Sequence, residues 1–248
     1  LDRAAVFHRY RDLILENRDA LMDMAQAETG KSRTAAQEEV LDISMTSRHY
    51  ARVAPKLLRP RRVSGMLPGL TKTVVRYQPK GVVGVISPWN YPMMMAIWKF
   101  CPAIAAGNTV VLKPASETPV TGGTLLGKLF EEAGLPAGVL SVVAGSGSEI
   151  GDYFAEHAAP KMISFTGSTE IGQRVGAVRG QRGQRERHGH RGHGHHLHHH
   201  CVWRIGTQAH RPALPRSRGA VCGAPHDMGG PRRQALCAPA VAVHAGRA

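Results

Sequence analysis

VVGVISPWN, at residues 82–90, contains a buried strand and the turn that ends it. Its first residues are mostly apolar and β-branched, which is typical of a strand covered on both faces. The apolar run TVVLK, at residues 109–113, follows after an interval long enough for one helix and ends before a proline. Because parallel neighbours need a crossover of this length, the spacing predicts two parallel strands joined by a helix.

The alternation of strands and helices extends along the chain. We expect, in order, strands at 73–77 and 81–87, a helix at 93–106, a strand at 109–113, a helix at 120–133, a strand at 139–143, a helix at 149–157, a strand at 162–165 and the start of a helix at 169–175. Before them, helical spacing covers 3–29 and about 34–54, with Pro55 as the stop and 55–70 as a connector. The sequence therefore predicts an α/β fold in which N-terminal helices precede a Rossmann-like, doubly wound parallel sheet.

Composition divides the chain near residue 178. Residues 1–178 contain 20 Lys and Arg against 16 Asp and Glu, whereas residues 179–248 contain 12 Arg, no Lys and two acidic residues. The formal charge of +14 therefore comes mainly from the tail and does not indicate a specific nucleic-acid partner. Because the tail lacks an apolar period, we expect 179–248 to be irregular or disordered. The rest divides into a helical segment with its connector (1–70) and the Rossmann-like domain (71–178).

Hydropathy and cysteine use favour a cytoplasmic protein. The start of the chain has no charged-then-apolar signal segment, and the most apolar region, 82–111, is interrupted by polar residues and prolines. Cys101 is the only cysteine of residues 1–178, which fits a reducing compartment. Because the first residue is Leu1 rather than Met, we expect either a fragment or a non-standard start codon.

Polar and small residues follow each predicted strand of the sheet. They lie at 87–90, 113–116, 145–147 and 166–168. Ligands of doubly wound sheets bind beyond the carboxyl ends of the strands. These four segments are therefore the predicted ligand site.

Each of these segments has a functional and a structural interpretation. Asn90 could direct its amide at an oxyanion forming on a substrate carbonyl, or it could cap the next helix. Lys113 could hold the ribose or phosphate of a nucleotide, or it could be a solvated residue before a turn. Backbone N–H groups near Ser168 could bind a phosphate, or Ser168 could be an ordinary N-cap with Gly172 needed for close packing. The segment does not match the G-x-G-x-x-G pattern.

Four motifs in this order resemble the aldehyde dehydrogenase superfamily: VVGVISPWN, GNTVVLKP, AGLPAGVLSVVAG and FTGSTEIG. The resemblance covers nearly all of residues 1–178. RYRDLILENRDALMDM, AAQEEVLDI and YQPKGVVGVISPWNYPM are most similar to bacterial succinate-semialdehyde dehydrogenases. Residues 71–178 are then an incomplete NAD(P)-binding domain.

The resemblance implies NAD(P)-dependent oxidation of an aldehyde to a carboxylic acid, here succinate semialdehyde to succinate. A Cys thiolate attacks the aldehyde, hydride passes to the nicotinamide, and a Glu base assists hydrolysis of the thioester. Asn90 would be the oxyanion donor. Relatives that prefer NAD commonly have a Glu at the position of Ser116, so the Ser favours NADP. The residues implied to contact the cofactor are Ser87, Trp89, Lys113, Ala115, Ser116, Gly147, Gly167 and Ser168.

The sequence departs from the family after Val178. Neither the Glu-Leu-Gly-Gly-Lys motif with the base nor the Gly-Gln-x-Cys motif with the nucleophile is found, and the three cysteines of the tail lie outside such a motif. Read one base out of frame, codons for 182–184 can encode Gly-Gly-Lys, and codons for 211–214 can encode Gly-Gln-(Leu or Arg)-Cys. We therefore expect a frameshifted, truncated and inactive chain that does not form the homo-oligomer of its intact relatives.

Two further hypotheses stay open. The chain could be a nucleotide-binding module whose arginines and His-rich run at 188–200 bind nucleic acid or metal, although an out-of-frame origin predicts no biological metal site. Alternatively, Cys201 could replace the missing nucleophile. Under the aldehyde dehydrogenase interpretation, the partners are a small aldehyde and NADP or NAD, with no metal, no membrane and no specific nucleic acid.

Overall fold

A computed structural model describes residues 2–65, 72–189 and 241–246. The elements in chain order are α1 (Arg3–Glu16), α2 (Arg18–Thr29), α3 (Arg33–Leu57), β1 (Arg61–Val63), β2 (Lys72–Tyr77), β3 (Val82–Ile86), α4 (Pro92–Ala105), β4 (Thr109–Lys113), a π-helical turn (Val120–Thr124), α5 (Leu125–Glu132), β5 (Leu140–Val142), α6 (Gly147–Glu156), β6 (Pro160–Phe165), α7 (Thr169–Gly189) and β7 (Val241–Gly246). The predicted α/β fold, with helices before a parallel sheet, is confirmed.

The parallel sheet has the strand order β5-β4-β3-β6. Its register pairs Ile86 of β3 with Lys113 of β4 on one side and with Phe165 of β6 on the other. The chain moves outward from β3 through β4 to β5 and then returns to the opposite side of β3. The order of the strands therefore reverses between β3 and β6, and this is the switch point at which such sheets bind ligands.

Helices cover both faces of this sheet. Val83 and Val85 of β3 lie in the main core with residues of α1, α3, α4 and α5. Gly84 points to the opposite face, where a Cβ atom built on it would lie 2.5 Å from Ile163 and 2.9 Å from Phe154. Because successive side chains of a strand alternate between faces, the smaller core around Phe154 and Val175 lies on the far side, under α6 and α7.

Strand β2 belongs to a second sheet, so the alternating series begins at Val82 rather than near residue 71. In that antiparallel sheet β2 lies between β1 and β7. Between Tyr77 and Val82 there is no room for a helix, and a parallel neighbour of β3 needs a longer crossover. The connector predicted at 55–70 also contains β1.

The N-terminal helices differ from the predicted pattern at two points. The helical region at 3–29 is divided at Asn17, whose side-chain amide donates to the carbonyl of Leu13 at 2.9 Å and competes with the helical backbone. The predicted stop at Pro55 is wrong, because α3 continues to Leu57. Pro55 lies in the last turn, where its missing N–H removes only one hydrogen bond of the helix.

The described part of the tail is more regular than expected. Helix α7 continues past residue 178 to Gly189, and 241–246 form β7, so the expectation of irregular structure is wrong for these segments. Arg179 donates to the carbonyls of Ala155 and His157, which fixes the middle of α7 against α6. Residues 190–240, with most of the His-rich run, lie outside the described residues. Within 2–65, 72–189 and 241–246 no helix has the length and hydropathy needed to cross a bilayer.

Candidate functional site

Two buried hydroxyl groups lie at the switch point between β3 and β6. Ser87 follows β3 and is 3% exposed, and Thr166 follows β6 with its N–H donating to the carbonyl of Ile86 at 3.1 Å. Within the described residues, neither Ser87 Oγ nor Thr166 Oγ1 has a hydrogen-bond partner. Because Ile86 is in register with Phe165, the two hydroxyls are neighbours on the same face of the sheet.

Lys113 ends β4 in register with Ile86, so its side chain starts from the face of the sheet opposite to that of the two hydroxyls. The residue is 4% exposed, so the interpretation as a solvated lysine before a turn is wrong. Its Nζ donates to the carbonyl of Pro114 at 3.2 Å. Burial lowers the pKa of Lys113, and the carboxylate of Glu117 acts in the opposite direction.

The loops after β4 and β5 meet through Ser116. Its hydroxyl donates to the carbonyl of Gly145 at 3.2 Å. Ser146 then caps α6 by accepting from the N–H of Ser148, also at 3.2 Å, and Gly147 is the first residue of that helix. A Cβ atom on Gly147 would meet nothing within 4 Å, so the space beside the helix start is open. Ala115 lies half-buried in the same loop.

The turn after β6 is an ordinary helix start with a tight approach to an aromatic ring. Ser168 Oγ accepts from the N–H of Ile171 at 3.3 Å, so the N-cap interpretation of Ser168 is correct. A Cβ atom on Gly167 would lie 2.6 Å from the ring of Phe165, and one on Gly172 would lie 3.3 Å from it. Both glycines therefore allow close packing. An N-cap leaves other N–H groups of the first turn available to an anion.

Asn90 is exposed in the turn after β3, next to Trp89, which is 57% exposed. The side-chain Oδ1 of Asn90 accepts from the N–H of Tyr91 at 3.0 Å. Within the described residues its Nδ2 has no acceptor, so this end of the amide is available to donate. The interpretation of Asn90 as the cap of α4 is wrong, since the cap residue is Tyr91 and no side chain of the turn supplies the cap bond.

Sequence reasoning missed the carboxylate that does cap α4. Glu39 of α3 is fully buried, and its Oε2 accepts from the N–H groups of Met93 at 3.0 Å and Met94 at 3.3 Å. Its Oε1 forms an ion pair with Lys31. The signal was in the sequence: Glu39 lies on the helical face that carries the buried Ala36 and Ile43, where a carboxylate needs a partner.

Cys101 is the only cysteine within the described residues, and it is not a nucleophile. The side chain is fully buried in α4. Burial raises the pKa of its thiol well above the ordinary value, against the effect of a hydrogen bond with Ser47. Cys201, the proposed substitute nucleophile, lies outside the described residues. Within 2–65, 72–189 and 241–246 no cluster of His, Cys, Asp and Glu could hold a metal ion.

The carboxyl edge of the parallel sheet thus brings together a buried lysine, two unpartnered hydroxyls and the starts of two helices. The fold is that of a doubly wound α/β protein, a class whose members bind ligands at the switch point of the sheet. The sequence pattern of the aldehyde dehydrogenase family matches residues 1–188. The chain belongs to the aldehyde dehydrogenase family.

Individual relatives agree with this assignment. A putative succinate-semialdehyde dehydrogenase [NADP(+)] of Mycolicibacterium smegmatis is 55% identical over 69% of this chain and 33% of its own length. An NAD-dependent benzaldehyde dehydrogenase from Corynebacterium glutamicum has a TM-score of 0.67 and 46% identity, over 71% of this chain and 38% of that one. An NADP dependent enzyme of E. coli has a TM-score of 0.68 and 34% identity, over 73% and 37%. The chain spans about a third of the length of the curated relatives it matches.

Proposed function

We propose that this chain is the coenzyme-binding part of an NADP-dependent aldehyde dehydrogenase that oxidises a small semialdehyde, with succinate semialdehyde as the first candidate. The family assignment supports aldehyde oxidation. The name of the 55% identical relative supports both the substrate and the coenzyme. Bound at the switch point, the nicotinamide ring would accept a hydride from the substrate.

The observation that carries this proposal is the pair of buried hydroxyls at the switch point. A buried hydroxyl without a partner costs free energy, and proteins rarely keep one unless it has another use. Ser87 and Thr166 would regain hydrogen bonds from the polar groups of a dinucleotide lying across the carboxyl ends of β3 and β6. The residues present therefore fit this coenzyme.

The remaining residues at this edge would hold the rest of the dinucleotide. Lys113 would donate to the adenosine ribose, and Trp89 would line the cleft. Ala115 and Ser116 would border the ribose 2′-position, where the neutral side chain of residue 116 leaves room for a 2′-phosphate. The starts of α6 and α7, at Gly147 and at Gly167–Ser168, would approach the pyrophosphate with backbone N–H groups.

Asn90 would stabilise the negative charge that develops on the aldehyde oxygen. Since its Oδ1 is occupied by the N–H of Tyr91, the Nδ2 group is the end directed at substrate. A single oxyanion donor of this kind is worth about 2.7–4 kcal/mol in the transition state.

We also propose that the chain binds the coenzyme without oxidising aldehyde by itself. The buried thiol of Cys101 is protonated at neutral pH and lies inside the core, so it cannot attack a substrate. An out-of-frame origin of the sequence after residue 178 would explain why the expected nucleophile and base motifs are not found. Sequencing the gene across codons 170–220 tests that origin, and in-frame codons for the same tail in an independent isolate would contradict it.

Isothermal titration of the full chain with NADP+ tests the coenzyme site, with Thr166→Val as the decisive variant. Removing an unpartnered buried hydroxyl should leave the free energy of unfolding unchanged or higher, while NADP+ binding weakens about tenfold with the loss of one hydrogen bond. Ser87→Ala should behave in the same way. The proposal fails if the wild-type chain does not bind NADP+, or if both variants bind it as well as the wild type does. An assay with succinate semialdehyde and NADP+ should show no turnover.

A further inference from the structure

A buried ion pair on the N-terminal helices contacts the backbone at Asn90. Lys31 precedes α3, and Glu39 lies within it. The side chain of Lys31 is 11% exposed and that of Glu39 is fully buried. Glu39 uses one carboxylate oxygen for Lys31 and the other for the N–H groups that begin α4.

Lys31 makes a second connection that Glu39 does not. Its Nζ donates to the backbone carbonyl of Asn90 at 3.0 Å and lies 4.7 Å from the centre of the Tyr91 ring. One ammonium group therefore contacts Glu39, the peptide of Asn90 and the side chain of the following residue. The carbonyl of Asn90 is thus bonded to Lys31, just before α3. The helix that follows the turn, α4, is bonded at its start to Glu39 of α3.

The side chain of Asn90 follows this backbone, because its Oδ1 is bonded to the N–H of Tyr91. A change in the Asn90–Tyr91 peptide would therefore reorient the amide. Helix α3 is itself held against α4, since Asp42 accepts from Trp98 Nε1 at 2.6 Å. The contact between Asp42 and Trp98 and the contact between Lys31 and Asn90 together hold the ion pair in place beside the turn.

We propose that Lys31 and Glu39 are positioning residues for Asn90, and that the ion pair sets the direction in which the amide donates. This inference rests on the proposed role of Asn90 as oxyanion donor. A site of this kind needs its donors held within about 0.5 Å, and a charge-assisted hydrogen bond from Lys31, whose ammonium group is paired with the buried carboxylate of Glu39, supplies that restraint.

The asparagine content of the chain allows a direct test. Asn17, Asn90 and Asn108 are the only asparagines in the sequence. Labelling the full chain with [15N]asparagine therefore gives three side-chain NH2 signals, which single substitutions assign. The amides of Asn17 and Asn108 donate to Leu13 and Ala103, away from the ion pair, and report on general folding.

Glu39→Gln and Lys31→Met are the test variants. Gln at 39 keeps an oxygen for the N–H groups of α4 but places an amide NH2 against the ammonium of Lys31, so it breaks the ion pair while leaving an acceptor for the cap. The Asn90 signal should shift in both variants, while those of Asn17 and Asn108 stay at their wild-type positions. Lys31→Arg, which keeps the charge and the donors, should leave the Asn90 signal close to its wild-type position.

Glu28→Gln is the matched control. Glu28 is also a capping carboxylate from the N-terminal helices, but it accepts from the N–H groups of Val120 and Thr121, at 3.0 and 2.7 Å, and does not contact the Asn90 turn. This variant should lose stability without moving the Asn90 signal. An unchanged Asn90 signal in Glu39→Gln, or an equal shift in Glu28→Gln, overturns the proposal. If Lys31→Met unfolds, all three signals collapse and Glu39→Gln decides the question.

This readout is independent of the coenzyme site. Failure of the wild-type chain to bind NADP+ would overturn the proposed function but would leave the three amide signals unaffected. A shift of Asn90 in the test variants together with normal NADP+ binding would support both proposals.

Discussion

The hydroxyl of Ser116 donates to the backbone carbonyl of Gly145 across a distance of 3.2 Å. This contact joins the loop after β4 to the loop after β5 at the carboxyl edge of the sheet. Ser116 is neutral and exposed, and in the proposed function it borders the ribose of the dinucleotide. The identity of residue 116 should therefore determine which coenzyme is accepted.

Ser116→Glu should reverse the preference between the two coenzymes. A carboxylate at this position would repel the 2′-phosphate of NADP+, and we expect its dissociation constant to rise about 10- to 100-fold. Binding of NAD+, which has a hydroxyl there, should change little or improve. Titration of the full chain with both coenzymes measures the two constants.

Ser116→Gln separates charge from size in this experiment. Gln has nearly the same shape as Glu but no charge, so it should weaken NADP+ binding much less. Equal losses in the Glu and Gln variants would show that the effect is steric and would contradict the electrostatic argument.

Lys113 should make coenzyme binding depend on pH on the alkaline side. Burial lowers the pKa of its ammonium group below the ordinary 10.5, so the charge is lost as the pH rises through that lowered value. NADP+ affinity should then fall at a lower pH than for an exposed lysine. Glu117→Gln removes the carboxylate that opposes the shift and should move the decline to still lower pH.

Lys113→Arg is the control for this titration, because a guanidinium group keeps its charge over the whole range. Its binding curve should lack the alkaline decline. Lys113→Met should weaken binding at neutral pH by about 10- to 100-fold, the usual value of a hydrogen bond from a charged group. A decline that persists in Lys113→Arg would assign the titration to another residue.

Gly84→Ala should destabilise the sheet, because β3 has no room for a side chain on its second face. The added Cβ would lie 2.5 Å from Ile163 and 2.9 Å from Phe154, well inside normal contact. Overpacking of this kind costs about 1–3 kcal/mol. Gly176→Ala in α7 is the control, since nothing lies within 4 Å of its Cβ position and Ala favours a helix. Urea unfolding should give a lower midpoint for the first variant and an equal or higher one for the second.

Much of the sheet could be predicted from the sequence because strands buried on both faces give continuous apolar runs. The predicted strand at 109–113 coincides with β4, and its last residue, Lys113, lies at the carboxyl edge of the sheet. The prediction of this strand end succeeded because the residues that end a strand can be recognised from their neighbours in the sequence. The topology of a doubly wound sheet then places the strand ends together. The placement of β2 failed because a short apolar run does not reveal which sheet it joins.

The supports of the site could not be predicted, because they depend on contacts far apart in the sequence. Glu39 caps a helix that begins more than fifty residues later, and Glu28 does the same for the π-helical turn at Val120–Thr124. On the sequence, the position of Glu39 on the apolar face of α3 indicates that its carboxylate needs a partner, but not which one, and Glu28 resembles a charge on the surface of a helix. Their partners become evident only when α3 packs against α4 and α2 packs against the π-helical turn.

Lys99 should make the stability of the chain rise with pH on the alkaline side. The residue is 8% exposed, and burial lowers the pKa of its ammonium group from 10.5 to about 8. Between these two values the unfolded chain holds a proton that the native chain has released. The free energy of unfolding therefore rises with pH between about 8 and 10.5, by up to about 3 kcal/mol. Below about pH 8 the native chain carries the full cost of burying the Lys99 charge.

The difference between the wild-type chain and Lys99→Met isolates this effect. Met fills a similar volume without a charge, so the variant should be more stable than the wild type at pH 7 and equal to it above about pH 10.5. Tyr10 and Cys101 also have pKa values raised by burial and lower the stability in alkali, but they do so in both chains. Urea titrations at intervals between pH 7 and 10.5 measure the difference. If it does not change with pH, Lys99 keeps its proton in the native state, and its ammonium group is held by the carbonyl of Met95, to which it donates at 2.6 Å.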